Sequence, residues 1–102
     1  MPGRGERLKC NAVFFSGHAF ERMFERGILE ADVVQVVRQG SIIESYPEDS
    51  PYPSCLLMGV VNKTPMHVVV SRDSAREFCY VITAYHPDPT RWLPDWKTRR
   101  TP

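Results

Sequence analysis

Residues 55–84 read CLLMGVVNKTPMHVVVSRDSAREFCYVITA, and the order of residue types in this stretch decides the fold. Cys55 to Val61, Met66 to Ser71 and Phe78 to Ala84 are strand-length segments rich in β-branched and aromatic residues. Asn62-Lys63-Thr64-Pro65 and Arg72 to Arg76 separate them. Both separators are turn-forming and short enough for hairpins, so the spacing predicts three strands in an antiparallel meander. Upstream, Ser41 to Tyr46 (SIIESY) supplies a fourth strand, set apart by Pro47 to Ser54, which holds three prolines.

Before Ser41 the period changes from two to that of a helix. In Gly17 to Arg26 (GHAFERMFER) the apolar residues Ala19, Phe20, Met23 and Phe24 recur at helical spacing, with Ser16 as a cap and Gly27 as a stop. The apolar stripe centres near Phe20 and Met23, which leaves His18, Arg22 and Glu25 together on the polar side. A second helix is expected from Leu29 to Gln39, with Val33, Val36 and Val37 at i, i+3, i+4 beside Val34. Glu30 and Asp32 in its first turn, Arg38 in its last and Gly40 beyond suit the helix dipole and an αL cap. The fold class is therefore α+β: two N-terminal helices packed on a four-stranded antiparallel sheet, five-stranded if Cys10 to Phe15 (CNAVFF) joins it. Residues 1–15 read as an arm or edge strand, 16–85 as the α+β domain, and 86–102 as a segment that Trp92 and Trp96 pin onto it.

With 102 residues, 42% of them hydrophobic and 25% charged, the chain is sized for one core. It has no apolar run of membrane-spanning length, and Met1 to Cys10 is too polar for a signal peptide, so no membrane contact and a cytoplasmic address are expected. Cys10, Cys55 and Cys79 are odd in number and far apart, which reads as three reduced thiols, with Cys55 and Cys79 filling the core. No CxxC-type pair, phosphate loop, nucleophile elbow or dinucleotide fingerprint occurs, so neither metal nor cofactor is implied. Net charge is only +1, yet basic residues gather at the ends, Arg4, Arg7 and Lys9 at one and Arg91, Lys97, Arg99 and Arg100 at the other. Those ends can meet phosphates although the whole chain is nearly neutral.

Acid–base chemistry is sought first at the three histidines, since imidazole alone titrates near neutrality unperturbed. His18 opens a helix, where a positive charge opposes the dipole, so helix stability does not explain it. His67 interrupts an apolar strand and shares its face with Val69 and Ser71, opposite Met66, Val68 and Val70. Thr83 and Tyr85 share a face of the next strand, and a hairpin can bring them beside His67 in a register the loop leaves open. Arg22 has the fork to bind an oxyanion, or it pairs with Glu21 or Glu25; Arg26 serves the last carbonyls of the helix or a phosphate. His86-Pro87-Asp88-Pro89 reads first as a turn with an Asx-type bond, and a metal clamp from His86, Asp88 and a second histidine is the least supported use.

The order of these residues resembles a known family. His18-Ala19 with Arg22, Arg26-Gly27-Ile28, Asp32-Val33, Gly40, Pro65 to Val69, Ile82 to Tyr85, Pro87-Asp88 and Trp92 together resemble the bacterial domain-of-unknown-function family 4258, over about Ser16 to Arg100. That family is in turn similar to RelE/BrnT-type toxin nucleases, in which helices precede a small antiparallel sheet carrying a metal-independent RNA-cleaving site. The resemblance implies RNA as substrate and an adjacent antitoxin protein as partner. It places His18, Arg22, His67, Thr83 and Tyr85 at the family's polar motif positions. Leu29 departs from the pattern, standing where a capping Ser or Thr is usual.

The expected function is thus that of an endoribonuclease toxin cutting by transfer to the 2′-hydroxyl, with His18 and His67 in the proton roles and Arg22 on the phosphate. Tyr85 would position phosphate or stack a base, and Thr83 would orient a neighbour. Arg22, Arg26, Arg91, Lys97, Arg99 and Arg100 are the expected RNA-binding cations. The alternative is a non-catalytic protein- or RNA-binding module of the same fold.

Overall fold

The computed structural model describes residues 1–101. In chain order it comprises β1 (Ala12–Phe15), α1 (Gly17–Glu25), α2 (Glu30–Gln39), β2 (Ser41–Tyr46), β3 (Ser54–Val61), β4 (Thr64–Asp73) and β5 (Phe78–Tyr85). The five strands form one sheet in the order β1-β5-β4-β3-β2. Strands β2 to β5 are the expected antiparallel neighbours. The sheet as a whole is mixed rather than antiparallel, because β1 pairs with β5 in parallel, Ala12 opposite Phe78 and Phe15 opposite Val81. The connection through α1 and α2 carries the chain from this edge to β2 at the other, so β1 and β5 meet without a hairpin between them.

Each helix is explained by its ends. Ser16 Oγ accepts from the Ala19 amide at 3.0 Å and caps α1, and Gly27 follows it at φ 66°, the left-handed conformation that glycine adopts without strain. Leu29 precedes α2 without a side-chain cap bond, as its side chain dictates. Gly40 corrects one expectation, being extended (φ −69°, ψ 161°) rather than αL. Its reason is close approach: a Cβ there would stand 2.5 Å from the Val36 carbonyl oxygen and 2.9 Å from that of Met58. The apolar stripe of α1 is also narrower than expected. Ala19 and Met23 are buried, whereas Phe24 is 89% exposed and Phe20 half-exposed, stacked on Phe15 at 5.0 Å.

Period-two alternation gives the sheet two differently covered faces. Val33, Val36 and Val37 of α2 and Ala19 and Met23 of α1 pack on Cys55, Leu57, Met66, Val68, Val70, Val81 and Ala84. The other face carries Ile43, Leu56 and Met58, and there Trp92 of the C-terminal tail closes the core, only 3% exposed. Helices, sheet and tail are therefore stacked in that order. No helix among the described residues is long and apolar enough to cross a membrane.

The cysteines overturn the reduced-thiol expectation. Cys10 and Cys79 are joined in a disulfide, and only Cys55 is a free, buried thiol. The two partners are 69 residues apart in sequence and become neighbours through the parallel pairing of β1 with β5. The bridge also removes the cysteine argument for a reducing compartment. A loop of this length restricts the unfolded chain enough to stabilise the fold by about 4 kcal/mol. Urea unfolding with and without a thiol reductant should show a loss of that order; unchanged stability on reduction would contradict it.

Candidate functional site

The hairpin register puts His67 directly opposite Tyr85, and Val69 opposite Thr83. A bulge between Val69 and Val70 sets this alignment, and the side chains of His67 and Tyr85 meet on the tail side of the sheet. His67 is wholly buried. Its Nε2 lies 2.7 Å from the Trp96 carbonyl oxygen and its Nδ1 3.3 Å from the Tyr85 hydroxyl. A carbonyl only accepts, so Nε2 carries the hydrogen and Nδ1, in the neutral ring, accepts from Tyr85. The Trp92 ring stands perpendicular to the imidazole at a centroid distance of 4.5 Å. Burial pushes the His67 pKa below its usual 6.5, outweighing the Trp96 bond and the Glu44 charge, which act the other way.

The tail that encloses His67 is held by its own turns. Asp88 Oδ1 accepts from the Thr90 amide and hydroxyl, both at 2.8 Å, and Asp95 accepts from Lys97 and Thr98. Trp92 and Arg99 form a bridge, and the Arg99 guanidinium lies 4.6 Å over the Trp92 ring. Arg99 also grips Glu44 of β2 with two bonds, 2.6 and 3.0 Å, which holds that carboxylate's pKa low. Tyr46 donates to Glu44 at 2.6 Å, and burial with that bond pushes the phenol up to about 12. Trp96 sits at φ 60°, a strained geometry for a bulky residue, and its carbonyl is the one that His67 holds.

Where the tail leaves β5, a cleft of about 410 Å³ opens between Tyr85, His86, Asp88, Arg91, Trp92 and Arg99. His86 Nδ1 is 2.9 Å from the Pro65 carbonyl oxygen. In the neutral ring Nδ1 is thus the nitrogen that carries the hydrogen and Nε2 the one with the lone pair. Arg91 has no side-chain hydrogen bond among the described residues and is exposed at the rim. Burial raises the Tyr85 pKa, while the nearby Arg99 and Arg26 charges oppose it. Arg26 reaches β5 past the end of β1, donating to Thr83 Oγ1 at 3.1 Å and to the Ala84 carbonyl at 2.8 Å.

The structure does not gather all of the expected residues into one site. His18 is exposed on the first turn of α1, on the helix side of the sheet, and His67 is buried on the tail side. A site where the first helix meets the central strands, built from both histidines, is therefore not formed. Arg22 takes its ion-pair role, 3.9 Å from Glu25 on an exposed helix face. Arg26 binds β5 instead of the carbonyls of its own helix, and Thr83 is what orients it. Arg99 and Arg91 reach the cleft; Arg100 is occupied with the Pro89 and Trp92 carbonyls. Lys97 lines a different cleft, about 470 Å³, with Arg7, Gln35 and Gln39. That cleft holds no histidine and lies at the C-terminal end of α2, where the helix dipole disfavours an anion. No group of three His, Cys, Asp or Glu among the described residues could hold a metal ion.

One family model, "Domain of unknown function (DUF4258)", matches residues 15–86. The chain belongs to this family. The match spans α1 to β5 and contains the family segment's His67 and Tyr85, with His86 as its last residue. The tail that completes the cleft follows it. No curated protein and no solved structure matches the chain.

The buried imidazole couples stability to pH. Its folded pKa is depressed, so its contribution is complete above pH 6.5 and is lost as pH falls through the lower folded value. Chemical unfolding of the wild type against His67→Gln should show a steeper loss below pH 6.5 in the wild type. Equal slopes would contradict a buried neutral His67.

Proposed function

We propose that the chain is a metal-independent endoribonuclease of the RelE/BrnT-like toxin kind, acting in the cytoplasm on RNA and restrained there by a cognate antitoxin protein. The observation that supports this reading is the convergence of Tyr85, His86, Arg91 and Arg99 on one cleft, a proton acceptor, a hydroxyl and two cations. The RNA 2′-hydroxyl is an internal nucleophile, so such a cleft needs no metal-activated water. His86 Nε2 takes the 2′-hydroxyl proton while that oxygen attacks phosphorus. The bond from phosphorus to the 5′-oxygen breaks, leaving a 2′,3′-cyclic phosphate. Tyr85 turns its hydroxyl hydrogen from His67 Nδ1 to the leaving oxygen and gives it that proton, and the Arg26 and Arg99 charges stabilise the phenolate against the burial that disfavours it. Arg91 and the unpaired edge of Arg99 hold the phosphate. His67 does not touch substrate in this scheme; it positions Tyr85 through Nδ1.

A second reading, a non-catalytic RNA- or protein-binding module, draws on Arg99 being already engaged with Glu44. The two separate on incubation of purified protein with single-stranded RNA in excess chelator. The nuclease should yield 2′,3′-cyclic ends by mass spectrometry and leave DNA of the same sequence intact. His86→Ala and Tyr85→Phe should each lower the rate by about 10²-fold or more. Retention of RNA without cleavage, or cleavage indifferent to both substitutions, would overturn the nuclease and favour the module.

A further inference from the structure

The two edges of the sheet are finished differently. At the β2 edge the N-terminal arm pairs with the strand: Gly5 donates to the Ile42 carbonyl at 2.7 Å, Ile42 to that of Glu6 at 2.9 Å, and Arg4 caps the Ile43 carbonyl at 3.0 Å. β1 forms the other edge and pairs with β5 alone, so no strand among the described residues lies along its outer side. Its sequence, Ala12-Val13-Phe14-Phe15, carries none of the lysines, prolines or inward charges with which sheets blunt a free edge. Both faces beside this edge are aromatic and open. On the tail side Tyr52, Tyr80 and Phe14 form a ladder of rings, Tyr52 on Tyr80 at 5.7 Å and Tyr80 on Phe14 at 5.4 Å, within 22° of parallel. The ladder ends at Phe14, which is 44% exposed. On the helix side Phe15 stacks on the half-exposed Phe20, and one turn further along α1 stands Phe24, the most exposed large apolar side chain among the described residues.

We propose that β1 is a self-association edge, on which a second copy of this chain lays its own β1 in antiparallel so that the two sheets become one. A two-fold axis perpendicular to the sheet keeps every side chain on its own face, so it must pass at a residue that meets its own copy. At Phe14 that axis sets ring against ring, at the roughly 5 Å that separates directly opposed side chains, and joins the two ladders into one continuous run. Val13 then faces Phe15 of the second copy on the helix side. An axis at Val13 would instead set Phe14 against Ala12, which has no ring to continue the ladder. Electrostatics agree, since no residue from Cys10 to Gly17 carries a full charge and two copies bring no like charges together along the shared edge. The area is sufficient as well. Phe14, Phe20 and Phe24 together expose on the order of 350 Å² per copy, taking about 200 Å² for a whole phenylalanine. Two copies thus bring roughly 700 Å² of aromatic surface, besides the strand backbones, to an interface whose usual total is about 1,200–2,000 Å². The proposal is independent of the cleft chemistry, because no cleft residue belongs to β1.

Sedimentation equilibrium of the full chain across the micromolar range should give twice the 11.7 kDa of one copy. Phe14→Lys and Phe14→Glu, both folded by circular dichroism, should each raise the dimer Kd by about 100-fold or more, because like charges then meet at the axis. Mixed in equal parts the two variants should dimerise again, lysine facing glutamate. Val60→Lys puts the same charge on an exposed apolar residue of β3, away from the edge, and should leave the mass unchanged. In the wild type, amides from Ala12 to Ser16 should gain hydrogen-exchange protection as concentration rises, a readout that needs no variant. A wild type that stays at 11.7 kDa without that gain would overturn the proposal and leave the edge to an extended segment of a different protein. A dimer that Phe14→Lys leaves intact would place the contact elsewhere and overturn it too, as would lysine and glutamate variants that remain monomeric when mixed.

Discussion

The hydrogen bond from His67 Nε2 to the Trp96 carbonyl, 2.7 Å long and shut away from water, governs everything on the tail side of the sheet. Because the acceptor is a carbonyl, the bond fixes the tautomer, and the tautomer leaves Nδ1 to take the Tyr85 hydroxyl. The same bond retains Trp96 at φ 60°, a conformation worth about 1–3 kcal/mol of strain that isolated backbone would relieve. Charging the ring would bury a cation among Trp92, Met58 and Leu56, which is why burial dominates its titration. One neutral imidazole thus fixes both the course of the tail and the direction of the phenol beside the cleft.

The tail in turn repairs a defect of the sheet. Both faces of β3 are apolar, with Cys55 and Leu57 under the helices and Leu56 and Met58 on the other side. Two short helices cover one face only. Trp92 covers the second, and burying an indole of that size stabilises by about 2–3 kcal/mol. Arg99 then sits on the outer side of Trp92, tied to Glu44, so the cleft is lined by groups whose positions follow from packing. Rigid packing beneath a polar cleft is what pre-organised chemistry requires.

Much of this was legible in the residues and some was not. The strands from Ser41 onward, both helices and the face of His67 follow from periodicity, because each depends on near neighbours in sequence. Parallel pairing of β1 is a long-range event, and the Cys10–Cys79 bridge rides on it, so a separation of 69 residues along the chain hides both. The pairing of His67 with Tyr85 depends on a bulge at Val69/Val70 that no local pattern announces. His86 and Asp88 were hidden differently: in His-Pro-Asp-Pro the turn signal is correct, and Asp88 does make the Asx bond, but the turn also faces a cleft that only the folded tail creates. The pairing of His18 with His67 failed because helical and strand alternation each fix a face relative to the local element, and the two faces lie on opposite sides of the sheet.

The most direct measurement of this central interaction is the tautomer of His67, read from long-range ¹⁵N–¹H correlations of the imidazole across a pH series in protein labelled at histidine. A neutral ring protonated at Nε2, with an unprotonated Nδ1 and a midpoint below the usual 6.5, is the expected result. A ring protonated at Nδ1, or one that gains its second proton at or above pH 6.5, would contradict it.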